Sequence, residues 1–306
     1  MLKAFFIFSL ITVLFSEELI TPIPLKVDYN IDKARLGEKL FNETRLSKDD
    51  TISCATCHIL NGGGDNNIPV SFGVDGKKGI RNSPTVLNAS FNTRQFWDGR
   101  AKNLEEQASG TIHNPIEMDS NFTEITKKLQ QDPDYVEQFG LIYKDGITEK
   151  NIINAIVEYE NTLITPNSKF DKFLRGDKNI LSKDEKEGYK LFKEYGCISC
   201  HNGVNVGGNL MQKLGITEEY PTNDFGKFNI TKKDEDKFYF KVPTLRNIQN
   251  TAPYFHDGRA ESLRDSVDKM IFHQLGFTIE ETEIDQIILF LNTLTGQTPF
   301  LEEVNK

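Results

Sequence analysis

Two copies of one short pattern constrain this 306-residue chain more than anything else in it. Cys54-Ala55-Thr56-Cys57-His58 recurs 143 residues later as Cys197-Ile198-Ser199-Cys200-His201. Cys-x-x-Cys-His is the attachment signature of a c-type haem. The two thiols bond the haem vinyl groups, and the adjacent histidine reaches the iron from the proximal side. A structural zinc site would want four clustered ligands, and one motif per half does not supply them. A dithiol redox pair would want a βαβ context, which is absent. Covalent haem uses all four cysteines of the chain and leaves none for a disulfide.

The repeat extends beyond the haem motifs. Pro84-Thr85 matches Pro243-Thr244, Asn88 matches Asn247, and Phe96–Ala101 matches Phe255–Ala260, all at an offset of 159. The second half therefore carries 16 extra residues between its haem motif and its Pro-Thr. Helix-like lead-ins, Leu36–Phe41 and Gly188–Phe192, precede the two motifs. Each half ends in an amphipathic helical stripe: Ile152, Ala155, Ile156, Tyr159 and Leu163, then Ile284, Ile287, Ile288, Leu291 and Leu294. Turn composition at Thr165-Pro166-Asn167-Ser168 marks the boundary. The expected fold is mostly α, with two cytochrome c-like helical domains at 17–165 and 166–306, each carrying one covalent haem.

Residues 1–16 read as a signal peptide: Lys3, a twelve-residue largely apolar run from Ala4 to Phe15, then Ser16. A retained N-terminal anchor is the rival reading. No later segment has the length of a transmembrane helix, so the cleaved chain is expected to be periplasmic, with no stable membrane insertion. Lys plus Arg number 36 and Asp plus Glu 45, a formal charge of −9. That balance argues against nucleic acid as a partner and suits a basic protein.

In several further blocks the chain resembles the bacterial di-haem cytochrome c peroxidases. They are Arg81-Asn82-Ser83-Pro84-Thr85, Gln95–Arg100, Asn114-Pro115-Ile116-Glu117-Met118, Thr165–Asp171, Val242–Asn247 and Thr251–Gly258. The resemblance implies a peroxidatic haem on His58 and an electron-accepting haem on His201. It implies Met270 as sixth ligand of the second haem, with Met211 as the rival. It implies Glu117 as acid–base, Gln107 as the group that orients peroxide, and Trp97, the only tryptophan, between the haems. A calcium ion would be held by the Asn82 side chain and the carbonyls of Thr251 and Pro253. H2O2 would be the substrate, a reduced monohaem cytochrome c or similar protein the donor, and a homodimer the assembly. His256, which takes the place of Trp97 in the repeat, is expected to be an interface group. His113 and His273 are expected to be structural.

The chain departs from that pattern at one place. Many members carry a distal histidine before Arg-Asn-Ser-Pro-Thr that caps the peroxidatic iron until the other haem is reduced. Aligned back from Arg81, that position is Val74. The expectation is an uncapped His58 haem, with Lys77 or Lys78 as the minor alternative cap. Two rival functions are a di-haem electron carrier and a di-haem protein-maturation oxidase. The latter resembles this chain but uses Tyr where Met270 stands.

Overall fold

Each half of the chain is organised by two long helices that cross at a glycine. The computed structural model describes residues 18–299, so the expected leader at 1–16 lies outside the described residues. The first half contains α1 (Ile31–Phe41), α2 (Cys54–Cys57), α3 (Leu104–His113), α4 (Phe122–Gln130), α5 (Pro133–Ile142) and α6 (Glu149–Thr162). The second contains α7 (Lys169–Leu174), α8 (Lys183–Glu194), α9 (Phe228–Thr231), α10 (Leu263–Met270) and α11 (Glu281–Asn292). Strands β1 (Met211–Lys213) and β2 (Tyr239–Lys241) pair antiparallel, the one sheet among the described residues.

Local signals start these helices. The Asn30 side chain accepts the N–H groups of Asp32 and Lys33 at the head of α1. Ser182 and Glu185 form a reciprocal capping box on α8, and Thr148 caps α6. Packing then pairs them. A Cβ at Gly37 of α1 would strike the Ala155 carbonyl of α6, and one at Gly188 of α8 the Gln286 carbonyl of α11. Leu36 and Leu40 bury against Ile152, Ala155 and Ile156. Leu191 and Phe192 bury against Ile284, Ile287 and Leu291. Each such side chain contributes about 1.5–3 kcal/mol, so the crossing pairs anchor each half.

The second repeat block is also conformational. Asn88 and Asn247 have φ of 61° and 60°, Phe96 and Phe255 64° and 67°, and Gly99 and Gly258 67° and 63°. The buried amides of Asn88 and Asn247 both donate to Thr165 Oγ1, at 2.8 and 2.9 Å. The boundary residue thus sits where the two halves meet.

The segment before α1 departs from the simple division at residue 165. Ile20 belongs to the apolar cluster of the second half. Gly203 N–H donates to the Leu19 carbonyl, and Ile23 N–H to Asp171. Arg246 donates to the Thr21 carbonyl. Residues 18–23 therefore pack on the second half although they precede the first. Their two isoleucines, Ile20 and Ile23, are fully buried there.

Candidate functional site

The loops around α2 and α3 enclose a cavity of about 460 Å³ in the first half. Cys54, Cys57 and His58 line it together with Trp97, Gln107 and Glu117. His58 Nδ1 lies 3.0 Å from the Gly64 carbonyl, which accepts its proton and leaves Nε2 free as a ligand. Gly64 has φ +84°, and a Cβ there would meet the Thr85 hydroxyl at 2.6 Å. Burial depresses the His58 pKa and favours the neutral imidazole that a metal needs. Burial also pushes the Cys54 thiol up to about 12, as suits sulfurs enclosed in an apolar pocket.

The opposite wall carries acid–base groups. Asn114 Nδ2 donates to Glu117 Oε1 at 2.8 Å. Burial raises the Glu117 pKa, and the Arg100 charge with hydrogen bonds from Thr111 and Asn114 only partly opposes it. Gln107 lies one turn before Thr111 on α3 and donates to its hydroxyl at 3.1 Å. Arg100 is held 3.4 Å over the Phe96 ring and bonded to Asp98. His58 is the one histidine among the described residues lining this cavity. Met118, also at its wall, packs with Leu36, Leu40 and Ile112.

The loop that carries Val74 borders the cavity, but Val74 itself does not line it. Val74 is fully buried, and its N–H donates to the Glu117 carbonyl at 2.9 Å. Ser71, Phe72, Gly73 and Gly79 line the cavity, whereas Val74, Lys77 and Lys78 do not. Lys77 is engaged by the Pro115 carbonyl and Asp119.

A second cavity, of about 260 Å³, contains Cys197, Cys200, His201 and Met270. Burial drives the His201 pKa down to about 4, against opposing backbone groups at Val206 and Pro243. The Cys197 thiol is pushed up to about 11 for the same reason. Met270 ends α10, where a π-helical turn, Ile271–Leu275, takes over. Met211 does not line this cavity; its sulfur lies against Gly99. His113 and His273 are tied to the carbonyls of Ser109 and Glu218 and line neither cavity.

Trp97 lines both cavities. Its Nε1 donates to the Asn82 carbonyl at 2.9 Å, and its ring meets His256 edge-on at 6.3 Å. His256 stacks on Phe240 at 4.2 Å, and its carbonyl accepts the Asn82 N–H. Arg81 ties the halves together through Asp98 and Asp224. Asn82, Thr251 and Pro253 all line the second cavity, as does the buried residue Asp65. No cluster of three acidic, histidine or cysteine ligands exists among the described residues. A cation here would rest on amide and carbonyl oxygens.

Two lining residues carry no motif. Glu160, on α6, is buried, its Oε2 has no partner, and burial raises its pKa to about 8. Its signal in the sequence is its place on the stripe four residues after Ile156. Lys241, at the end of β2, is the corresponding buried charge of the second cavity. A three-residue strand leaves no pattern from which to read its orientation.

Both cavities fit a haem: paired half-buried thiols at the wall, a neutral proximal imidazole and a largely apolar lining. The model of the di-haem cytochrome c peroxidases matches residues 31–179. The chain is 48% identical over 290 residues to the cytochrome c551 peroxidase of Nitrosomonas europaea, covering 94% of this chain and 87% of that protein. It is 41% identical over 301 residues to the cytochrome c551 peroxidase of Pseudomonas aeruginosa, with the same coverages of 94% and 87%. A crystal structure of a MauG-like protein associated with microbial copper homeostasis superposes with a TM-score of 0.80 at 25% identity, covering 90% of this chain and 93% of that one.

Proposed function

We infer the chemistry of the two cavities from one premise: the chain belongs to the di-haem cytochrome c peroxidase family. It is a cytochrome c peroxidase, which consumes H2O2, two electrons and two protons and makes two waters, with electrons from a cytochrome donor. When bound, the haems supply irons that exchange single electrons and, at the peroxidatic site, take up peroxide. Cys54, Cys57 and His58 would hold one, and Cys197, Cys200, His201 and Met270 the other.

The protein's own residues divide the remaining work. Glu117 takes a proton from one peroxide oxygen and returns it to the other, so the leaving oxygen departs as water. Its raised pKa suits a group that must both accept and donate. Gln107 orients peroxide by hydrogen bonding. Trp97 fills the wall between the cavities and gives electrons an aromatic route. Met270 provides a thioether, which raises the potential of an electron-accepting haem.

The observation that carries this reading is the first cavity itself: Glu117 and Gln107 share it with His58, and no second imidazole lines it among the described residues. We therefore assign the His58 haem an open sixth position even in the fully oxidised protein. An electron carrier would cap both irons, and a maturation oxidase of this type would carry Tyr at the Met270 position. Peroxide turnover with reduced cytochrome c, started from fully ferric and from half-reduced protein, tests the reading. Equal rates support the open site. Activity confined to pre-reduced protein keeps the peroxidase and refutes the open site.

Calcium at Asn82, Thr251 and Pro253 is part of the same proposal. The Asn82 Nδ2–H donates to the Ile68 carbonyl, which orients the amide and leaves Oδ1 for a hard cation. Chelator treatment followed by a melting curve tests it. No helix among the described residues is long and apolar enough to cross a membrane. The periplasm is the compartment we propose, because covalent haem attachment occurs there in bacteria with two membranes. A homodimer is proposed on the family resemblance, and light scattering tests it.

A further inference from the structure

Lys241 is a buried residue whose ammonium, left accessible at a cavity wall, has no partner among the described residues. Its side chain lies in the wall of the second cavity and is 5% exposed. No hydrogen bond or ion pair reaches its ammonium among the described residues, and burial alone lowers its pKa, to about 8. Asp65 is the one carboxyl group among the residues lining this cavity, and it makes no ion pair with Lys241. Arg246 provides the contrast. It is equally buried, five residues away, and fully met by Asp171, Ser168 and the carbonyls of Thr21 and Val204.

A lone ammonium in an apolar wall is costly unless an anion meets it. The occupant of this cavity brings two anions, the propionate carboxylates of the porphyrin. We propose that Lys241 binds a propionate of the C-terminal haem through a charge-assisted hydrogen bond. The inference rests on the reading that this cavity holds a covalent haem. The Lys241 backbone N–H donates to the Trp97 carbonyl at 2.7 Å, so the main chain that carries this side chain is anchored to the residue that lines both cavities. A positive charge there favours the reduced iron and raises the potential of the haem that receives electrons. Lys241 is a positioning residue, acting through the haem and not on peroxide.

Potentiometric titration of both haems in wild type, K241M and K241R, with haem content measured in each, tests the assignment. The expected result is a lower C-terminal potential in K241M, an unmoved N-terminal potential, and a value near wild type in K241R. Accumulation of two-haem K241R but not of two-haem K241M also supports it, since the two variants differ in charge. A wild-type potential in K241M, an equal fall in K241R, or loss of haem from both variants overturns it. A wild-type chain with fewer than two haems would instead refute the underlying reading.

Discussion

The two cavities are built from the same repeat and furnished for opposite tasks. Among the described residues, three carboxyl groups line the N-terminal one: Asp98 is paired with Arg81 and Arg100, whereas Glu117 and Glu160 are both pushed by burial towards their protonated forms. The C-terminal one carries the Met270 thioether and the unpaired ammonium of Lys241, with a single carboxyl group among the described residues, Asp65, at its wall. Carboxyl groups whose pKa is raised by burial hold and move protons. A thioether and a fixed positive charge stabilise a reduced iron. With the roles proposed above, the difference teaches that a duplicated scaffold can separate proton chemistry from electron delivery by changing a few wall residues while its helical frame stays the same.

The sharpest break would come at Glu117. Replacing it with Gln keeps shape and removes the proton carrier, so peroxide turnover should fall ~10²–10⁴-fold with both haems attached and the C-terminal potential unmoved. A loss under tenfold would refute its role. Next comes the sulfur. Met270→His should lower the C-terminal potential and leave the N-terminal haem unchanged, whereas Met211→Leu should move neither. A redox titration that reverses these outcomes would hand the ligand role to Met211.

The shared frame predicts a symmetric response. Gly37→Ala and Gly188→Ala each force a methyl against a facing carbonyl and should each cost ~1–3 kcal/mol in thermal or denaturant unfolding. A loss confined to one of them would break the equivalence of the halves.

Glu160 sharpens the proton side of the comparison. Its folded pKa, about 8, lies above the ordinary 4.5. The folded protein therefore keeps a proton that the unfolded chain has lost between those values. Wild-type stability should fall as pH rises through that window, and Glu160→Gln should flatten the fall by ~1–3 kcal/mol. Melting curves at pH 5 and pH 8 check it: equal variant and wild-type slopes would exclude Glu160 as the source. The smallest effect expected is on encounter. With a formal charge of −9, reduction by a basic cytochrome should slow several-fold as salt rises from low to physiological ionic strength.

Much of this was legible in the chain itself. The Cys-x-x-Cys-His pairs, the stripes ending each half and the 159-residue offset required no structure, because covalent attachment and helical periodicity are local rules. Glu117, Gln107 and Trp97 were found through the resemblance, and the fold then brought all three to one cavity with His58. Val74 was legible as a substitution. Its direction, buried and turned from the cavity while its N–H holds the Glu117 carbonyl, was not.

The sequence by itself determined the cofactor type, the duplication and the helical frame, since each depends on residues a few positions apart. Tertiary structure alone decided the rest. It set which methionine enters the second cavity, why residues 18–23 pack on the far half, and that Glu160 Oε2 and the Lys241 ammonium have no partner among the described residues at the two walls. The physical reason is that burial and charge pairing are properties of everything packed around a group, and those neighbours are distant in sequence.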